Sequence, residues 1–281
     1  MSTFAAIWTH KATRRSLGRQ DIPPVADPWQ PDRSRGVFET LLVVSGEPVE
    51  LEAHLRRLAR SLDLVYSRPL PPQVEEEVRR AARPLNLGRL RLTAVPAEDG
   101  LQTDLLAERV GLEAVFPSQG VKLRTHQITG GLGPHKWIDR QGVDRPTRGE
   151  PGALIVGGGE VLEAGWANVL TVRGGTLFTP PLDGRILPGT TRAALLELAE
   201  EAGIETHEST LSPDDLLDAD ETFLSGSIRG IEAALELDGQ PLAGCGPLSH
   251  RLADALRRRW GLTDGSLPTA AAAPRPDLLA R

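Results

Sequence analysis

Hydrophobic positions along this chain change period several times, and the changes mark its elements. Val37-Phe38-Glu39-Thr40-Leu41-Leu42-Val43-Val44, opened by Gly36 and closed by Ser45-Gly46, predicts a strand, with Val49-Glu50-Leu51 as the returning arm of a hairpin. Leu55, Leu58 and Leu62 then fall at helical spacing within Glu52 to Leu64, and Val74, Val78 and Ala81 do so within a second helix, Pro71 to Ala82. Arg89 to Val95 alternates with period two, as a half-buried strand does, and Leu105 to Pro117 reads as another strand. After Pro117-Ser118-Gln119-Gly120 the alternation resumes at Val121 to Thr125. Two hairpins follow, Ala153–Val156 with Glu160–Glu163 and Val169–Val172 with Thr176–Thr179, each turned on glycines. Pro188 to Ala202 is a strong helix stopped by Gly203; Ser212 to Ala219 is a short helix or turn. Glu221 to Leu224 and Ile231 to Leu237 are strands, and Ser249 to Trp260 is a last amphipathic helix.

This order predicts an α+β protein in two units, a small N-terminal domain over 1–118 and a larger one over 119–265. A short strand, Phe4 to Thr9, precedes a stretch rich in Pro and Arg, and the Pro- and Ala-rich residues 266–281 predict a disordered tail.

Composition narrows the class. The 281 residues carry a net charge of −6, which argues against nucleic acid as a partner. No stretch reaches the roughly 20 apolar residues of a membrane span, and Met1 to Arg19 lacks the apolar core of a signal peptide. A single cysteine, Cys245, excludes an intrachain disulfide, so a cytoplasmic setting is expected. No histidine pair has metal-ligand spacing, and no dinucleotide or P-loop fingerprint occurs. Among 32 basic residues only Lys11, Lys122 and Lys136 are lysines. Arginine stays protonated, so any amine chemistry rests on one of these three.

Lys136 lies between a Gly/Pro turn and Trp137-Ile138, a setting that predicts partial burial and a weakened base. Glu163 ends a strand beside Ala164-Gly165, small residues that let a flat ring approach, and Asn168 can position it. Gly189-Thr190-Thr191-Arg192 opens directly into a helix, where free N–H groups, the helix dipole and two hydroxyls suit an anion. Ser225-Gly226-Ser227 ends a strand and offers further donors; Arg57 offers a fork suited to phosphate. Taken singly, each has an ordinary reading: a solvated lysine, an exposed carboxylate, a helix cap, a turn, a charged helix face. Together an amine, a carboxylate and an anion-binding turn are what pyridoxal 5′-phosphate (PLP) needs.

The ordered set resembles the fold-type IV PLP enzymes, which comprise branched-chain and D-amino-acid aminotransferases and 4-amino-4-deoxychorismate lyases. The runs that carry it are Gly36 to Thr40, His54 to Leu58 with Ser61, His135 to Arg140, Leu162-Glu163-Ala164 through Asn168-Val169, Phe178 to Pro181, Ile186 to Arg192, and Ala219 to Gly230. The resemblance implies a homodimer of two-domain subunits, the larger domain β-barrel-like and flanked by helices. It implies Lys136 as the Schiff-base and catalytic lysine, Glu163 as partner of the pyridine nitrogen, and Arg57, Gly189, Thr190, Thr191, Ser225, Gly226 and Ser227 around the phosphate.

The Phe-Glu-Thr, His-Lys-Trp-Ile-Asp-Arg and Leu-Pro-Gly-Thr-Thr-Arg forms are most similar to the lyases. They imply conversion of 4-amino-4-deoxychorismate to 4-aminobenzoate and pyruvate, a step of folate biosynthesis, with an aminodeoxychorismate synthase upstream and Phe38, Thr40 and Arg124 on the substrate side. An aminotransferase acting on branched-chain, D- or other amino acids is the alternative; a non-catalytic partner subunit that binds PLP poorly is the alternative of another class. The family's usual N-terminal hairpin is replaced here by a Pro-rich stretch and Asp32-Arg33-Ser34-Arg35-Gly36.

Overall fold

The computed structural model describes residues 29–140, 143 and 150–262; the expected Phe4–Thr9 strand and the tail lie outside them. Two sheets organise these residues. The first has four strands in the order β2-β1-β3-β4, from β1 (Val37–Val44), β2 (Glu47–Pro48), β3 (Leu87–Ala97) and β4 (Gly100–Arg109). Helices α1 (Leu51–Tyr66) and α2 (Val74–Ala82) pack on it.

β1 is buried on both faces, which explains its nearly unbroken apolar run. Val37, Leu41 and Val43 join the core under α1 and α2, whereas Leu42 and Val44 join a second core shared with the C-terminal helices. Period-two alternation therefore sends Glu39 toward α1, and Phe38 and Thr40 the other way.

The second sheet holds β5 (Val121–Gln127), β6 (Gly152–Gly157), β7 (Glu160–Ala164), β8 (Ala167–Arg173), β9 (Thr176–Thr179), β10 (Thr206–Glu208), β11 (Glu221–Gly226), β12 (Gly230–Leu237) and β13 (Gln240–Pro241). Six of them, β8-β11-β12-β5-β6-β7, close into a barrel because β7 also pairs with β8. Leu123, Leu154, Val156, Val161, Ala164, Val169, Leu224 and Ala234 fill the interior. Helices α3 (Thr190–Glu201) and α5 (Pro247–Arg259) pack outside, on Leu170, Val172, Phe223 and Ile231. A short helix, α4 (Pro213–Leu217), starts from Ser212 in a capping box with Asp215.

Three expectations shift. The strand expected over Leu105–Pro117 is Gly100–Arg109, an edge strand whose alternation begins directly at the β3–β4 turn; Leu112–Ala114 is a single 3-10 turn. Leu51 begins α1 instead of ending a hairpin arm, because Glu50 adopts the left-handed conformation and breaks the strand at Pro48. β10 has no sequence signal: its three residues are partly or wholly exposed and it is held by parallel pairing to β9.

One buried carboxylate ties α5 to the barrel. Glu221 accepts from the N–H groups of Gly246, Leu248 and Ser249 at 3.0, 2.8 and 2.8 Å, saturating the helix N-terminus. Glu221→Ala should cost about 2–3 kcal/mol, since it orphans the Leu248 and Ser249 donors and leaves Gly246 N–H only Ser249 Oγ, with the loss read as a lower urea midpoint at unchanged slope.

Candidate active site

A β-bulge aims the first functional side chain. In the β6–β7 ladder Ile155 faces Glu163 but Val156 faces Val161, so Leu162 is the extra residue. Val161 and Ala164 point into the barrel, and the bulge re-phases the strand between them so that Glu163 points outward. Glu163 pairs in register with Asn168 on β8, and Asn168 with Ser225 on β11. Directly paired residues share a face, so Glu163, Asn168 and Ser225 form one row across three strands on the barrel's outer wall.

The loop before α3 lies over this row. Leu187 donates its N–H to both Glu163 oxygens at 3.4 and 3.3 Å and accepts from Asn168 Nδ2 at 2.9 Å. Gly189 packs so closely on Asn168 that a β-carbon there would overlap Asn168 Oδ1. The first N–H bonded within α3 is that of Ala193, to Gly189, so those of Thr190, Thr191 and Arg192 have no intrahelical partner.

Lys136 arrives from the opposite side. Its carbonyl accepts from Phe38 N–H at 2.9 Å, Trp137 bridges Val37, and Ile138 N–H reaches Gly36 at 3.0 Å, so the lysine segment is stitched to β1. Gly36 has φ +87°, and a β-carbon there would overlap the Ala94 carbonyl, so this position needs glycine. Downstream, Asp139 accepts from Asp32 N–H at 2.8 Å and from Arg35 at 3.0 Å, which pins the substituted N-terminal segment against the lysine segment.

These parts converge on an open cavity lined by Arg57, Lys136, Arg140, Glu163, Trp166, Ala167, Asn168, Leu187, Gly189, Thr190, Thr191 and Ser225 to Ser227. All ten cofactor-side residues expected from the sequence line it. The substrate-side expectations fare differently. The Phe38 ring is buried, with Lys136 Nζ 5.1 Å and the Arg91 guanidinium 3.9 Å from its centre. Thr40 is half-buried on the same face of β1. Arg124 is not brought to the cavity: Leu123 takes the barrel interior, and alternation leaves Arg124 exposed on β5. Among the lining residues, Arg140, Trp166, Ala167 and Leu187 were missed.

Burial sets the electrostatics. It pulls the Lys136 amine down to about 7, and Arg57 pushes the same way while Glu39 and Glu163 oppose it. It raises the Glu163 carboxyl to about 7, partly opposed by Arg140. An amine whose basicity is lowered this far is a usable nucleophile and base near neutral pH. Behind Arg57 sits a second layer. Glu39 accepts from Arg57 Nε at 2.8 Å and Nη2 at 2.7 Å, and lies 2.7 Å from His54 Nδ1. Burial works to raise Glu39, but the Arg57 charge and the hydrogen bonds from Arg57 and His54 outweigh it and hold the carboxyl well below its usual range. The Pro188 carbonyl takes Arg57 Nη1 at 2.8 Å, which leaves the second hydrogens of both Nη atoms available to the cavity.

The donor set fits a phosphorylated pyridine. Ser225 Oγ is buried with no hydrogen-bond partner among the described residues, and it lies with the free α3 N–H groups and Arg57. Among the described residues, the hydrogen bonds given for Glu163 are the two long ones from Leu187, which leaves its oxygens room for a stronger donor. Among the described residues no group of three or more His, Cys, Asp or Glu could hold a metal ion, and no helix is long and apolar enough to cross a membrane.

The amino-transferase class IV family model matches residues 36–115 and 117–236. The chain belongs to this family. Among its class IV relatives, the branched-chain-amino-acid aminotransferase of Escherichia coli K12 is 37% identical over 116 residues, which is 38% of this chain and 38% of that protein. The matched stretch thus spans well under half the length of this curated relative. The 4-amino-4-deoxychorismate lyase structure from Pseudomonas aeruginosa is 28% identical with a TM-score of 0.67, over 84% of this chain and 96% of that one. A hypothetical aminotransferase from Mycobacterium tuberculosis, in its PLP-bound form, is 26% identical with a TM-score of 0.71, over 81% and 89% of the two chains.

Proposed function

We propose that this chain is a PLP-dependent lyase that converts 4-amino-4-deoxychorismate to 4-aminobenzoate and pyruvate. The observation that carries the cofactor reading is the pairing of a half-buried, weakly basic Lys136 with a buried Glu163 across a cavity whose far wall is a phosphate-type donor set. When bound, PLP supplies a carbonyl for an amine and a ring that accepts electrons.

This chain's residues do the rest. With PLP bound, Lys136 Nζ would form the link to it and, once released by the substrate amine, would take the proton from the carbon next to that nitrogen. The same Nζ returns a proton later in the reaction. Ionised Glu163 would hold a proton on the pyridine nitrogen; Leu187 N–H orients its carboxylate, and Asn168 holds the Leu187 carbonyl. Arg57, the α3 N-terminus and Ser225 to Ser227 would hold the phosphate.

Support for the lyase comes from the Lys136 to Arg140 motif and from the Pseudomonas lyase, matched over almost its whole length. The 37% identity to a branched-chain-amino-acid aminotransferase favours a second reading, transfer of an amino group to a 2-oxo acid. The proposal includes a homodimer, a cytoplasmic setting and an aminodeoxychorismate synthase as the source of substrate.

Incubating PLP-loaded protein with 4-amino-4-deoxychorismate should release equal amounts of 4-aminobenzoate and pyruvate. Glutamate made steadily from amino acids and 2-oxoglutarate, with no 4-aminobenzoate, would reverse the order of the two readings.

A further inference from the structure

Glu39, His54, Thr190 and Ser227 form one hydrogen-bonded line that starts behind Arg57 and ends at the cavity. Glu39 Oε2 is 2.7 Å from His54 Nδ1, His54 Nε2 is 3.2 Å from Thr190 Oγ1, and Thr190 Oγ1 is 3.3 Å from Ser227 Oγ. Glu39 and His54 are each 1% exposed, so water does not compete for these contacts.

The line has a direction, and one proton reverses it. Glu39 is ionised, so His54 Nδ1 must carry a hydrogen and donate it. In neutral His54 the Nε2 lone pair then takes the Thr190 hydroxyl hydrogen, and Thr190 turns its lone pairs toward Ser227 and the cavity. That arrangement opposes an anion. In protonated His54, Nε2 donates to Thr190 Oγ1, and the Thr190 hydrogen must point outward, toward Ser227 or an occupant.

Charge points the same way. Glu39 cancels the Arg57 charge next to the anion site, so a dianion finds little net positive charge on that wall. The groups facing His54 are Glu39 from β1, Arg57 from its own helix, Lys136 from the lysine segment and Thr190 from α3. Burial holds His54 below its ordinary value, against the pull of Glu39, and so keeps it neutral until an anion arrives.

We propose that Glu39, His54 and Thr190 form a proton-linked switch, in which a phosphate dianion binds with uptake of one proton from solvent onto His54 and a turn of the Thr190 hydroxyl toward the ligand. This rests on reading the cavity as a phosphate site. His54 is a positioning residue: it acts through Thr190 and touches no reacting atom.

The probe is pyridoxine 5′-phosphate, an alcohol that cannot condense with Lys136, with pyridoxine as its phosphate-free control. Titration calorimetry at about pH 8, where a phosphate monoester is a dianion, in buffers of different ionisation enthalpy counts the protons taken up. The phosphate ester should bring in one proton more than pyridoxine, which removes contributions from Lys136 and Glu163. His54→Gln and Thr190→Val should abolish that difference. Affinity for the ester should fall about tenfold per pH unit in alkaline solution, relative to pyridoxine, in the wild type only. In the wild type itself, ¹⁵N imidazole spectra should show His54 as an imidazolium only in the complex. The same proton difference in wild type and His54→Gln, or a neutral His54 in the complex, overturns the switch and leaves the cofactor reading standing. Failure of the ester to bind at all overturns both.

Discussion

Lys136→Ala should abolish turnover, with a loss of about a thousandfold or more, because one amine is asked to be both covalent anchor and proton carrier. Lys136 is half-buried at the cavity wall, and its backbone is held by Phe38 and Gly36 rather than by its own side chain. The variant should therefore fold, bind PLP through the phosphate wall, and lack the visible absorption of lysine-bound pyridoxal. Added small alkylamines should restore part of the activity by entering the space the side chain leaves. Loading of the wild type should speed up as pH rises through about 7 and then level, following the neutral form of Nζ. A Lys136→Ala protein that keeps the visible band would move the assignment to another amine, and the exposed Lys122, paired to Glu236 at 2.8 Å, is a poor substitute.

Glu163→Gln should lower turnover by about a hundredfold or more, because a neutral amide cannot hold a charged pyridinium as a carboxylate does. It should also stabilise the protein in the absence of cofactor. Burial raises folded Glu163 from 4.5 to about 7, so between those values the folded chain keeps a proton that the unfolded chain has lost. Its contribution to stability is full below 4.5 and drains away as pH rises to about 7. Lys136 has the opposite sense. Its folded value lies near 7 against 10.5 unfolded, so its contribution is full above 10.5 and drains as pH falls to about 7. Cofactor-free protein should pass through a stability minimum near pH 7, measured by urea unfolding across the pH range. Glu163→Gln should remove the acidic limb and add on the order of 2 kcal/mol at neutral pH. A flat profile in the wild type would show that neither group is desolvated as placed.

Most of the elements were legible because their hydrophobic periods are clean. α1 starts one residue before and ends two after its expected limits, and α5 shifts by two residues at its start. The residues lining the cavity were legible as an ordered family pattern, not as geometry. Arg140 follows Lys136 by one helical turn's spacing in sequence and could have been noticed as a second cation. Glu39 carried a signal too: an acid in an eight-residue apolar strand needs a buried partner, and His54 and Arg57, three apart on α1, are that partner. Arg124 was expected on the substrate side from the resemblance, and it is not among the cavity's lining residues because β5 turns Leu123 into the barrel and leaves Arg124 exposed.

By itself the sequence determined the α+β character, the scarcity of amines that singles out Lys136, and the family pattern from Gly36 to Gly230. Only the tertiary structure decided how these parts meet. The bulge at Leu162 turns Glu163 out of the barrel into the row with Asn168 and Ser225, and no local pattern announces a change of phase made by a ladder partner. Likewise, β1 carries Glu39 on one face and Phe38 on the other because it is covered on both sides. The pKa values follow the same rule: they are set by burial among residues distant in the chain, and burial exists only once the fold has closed.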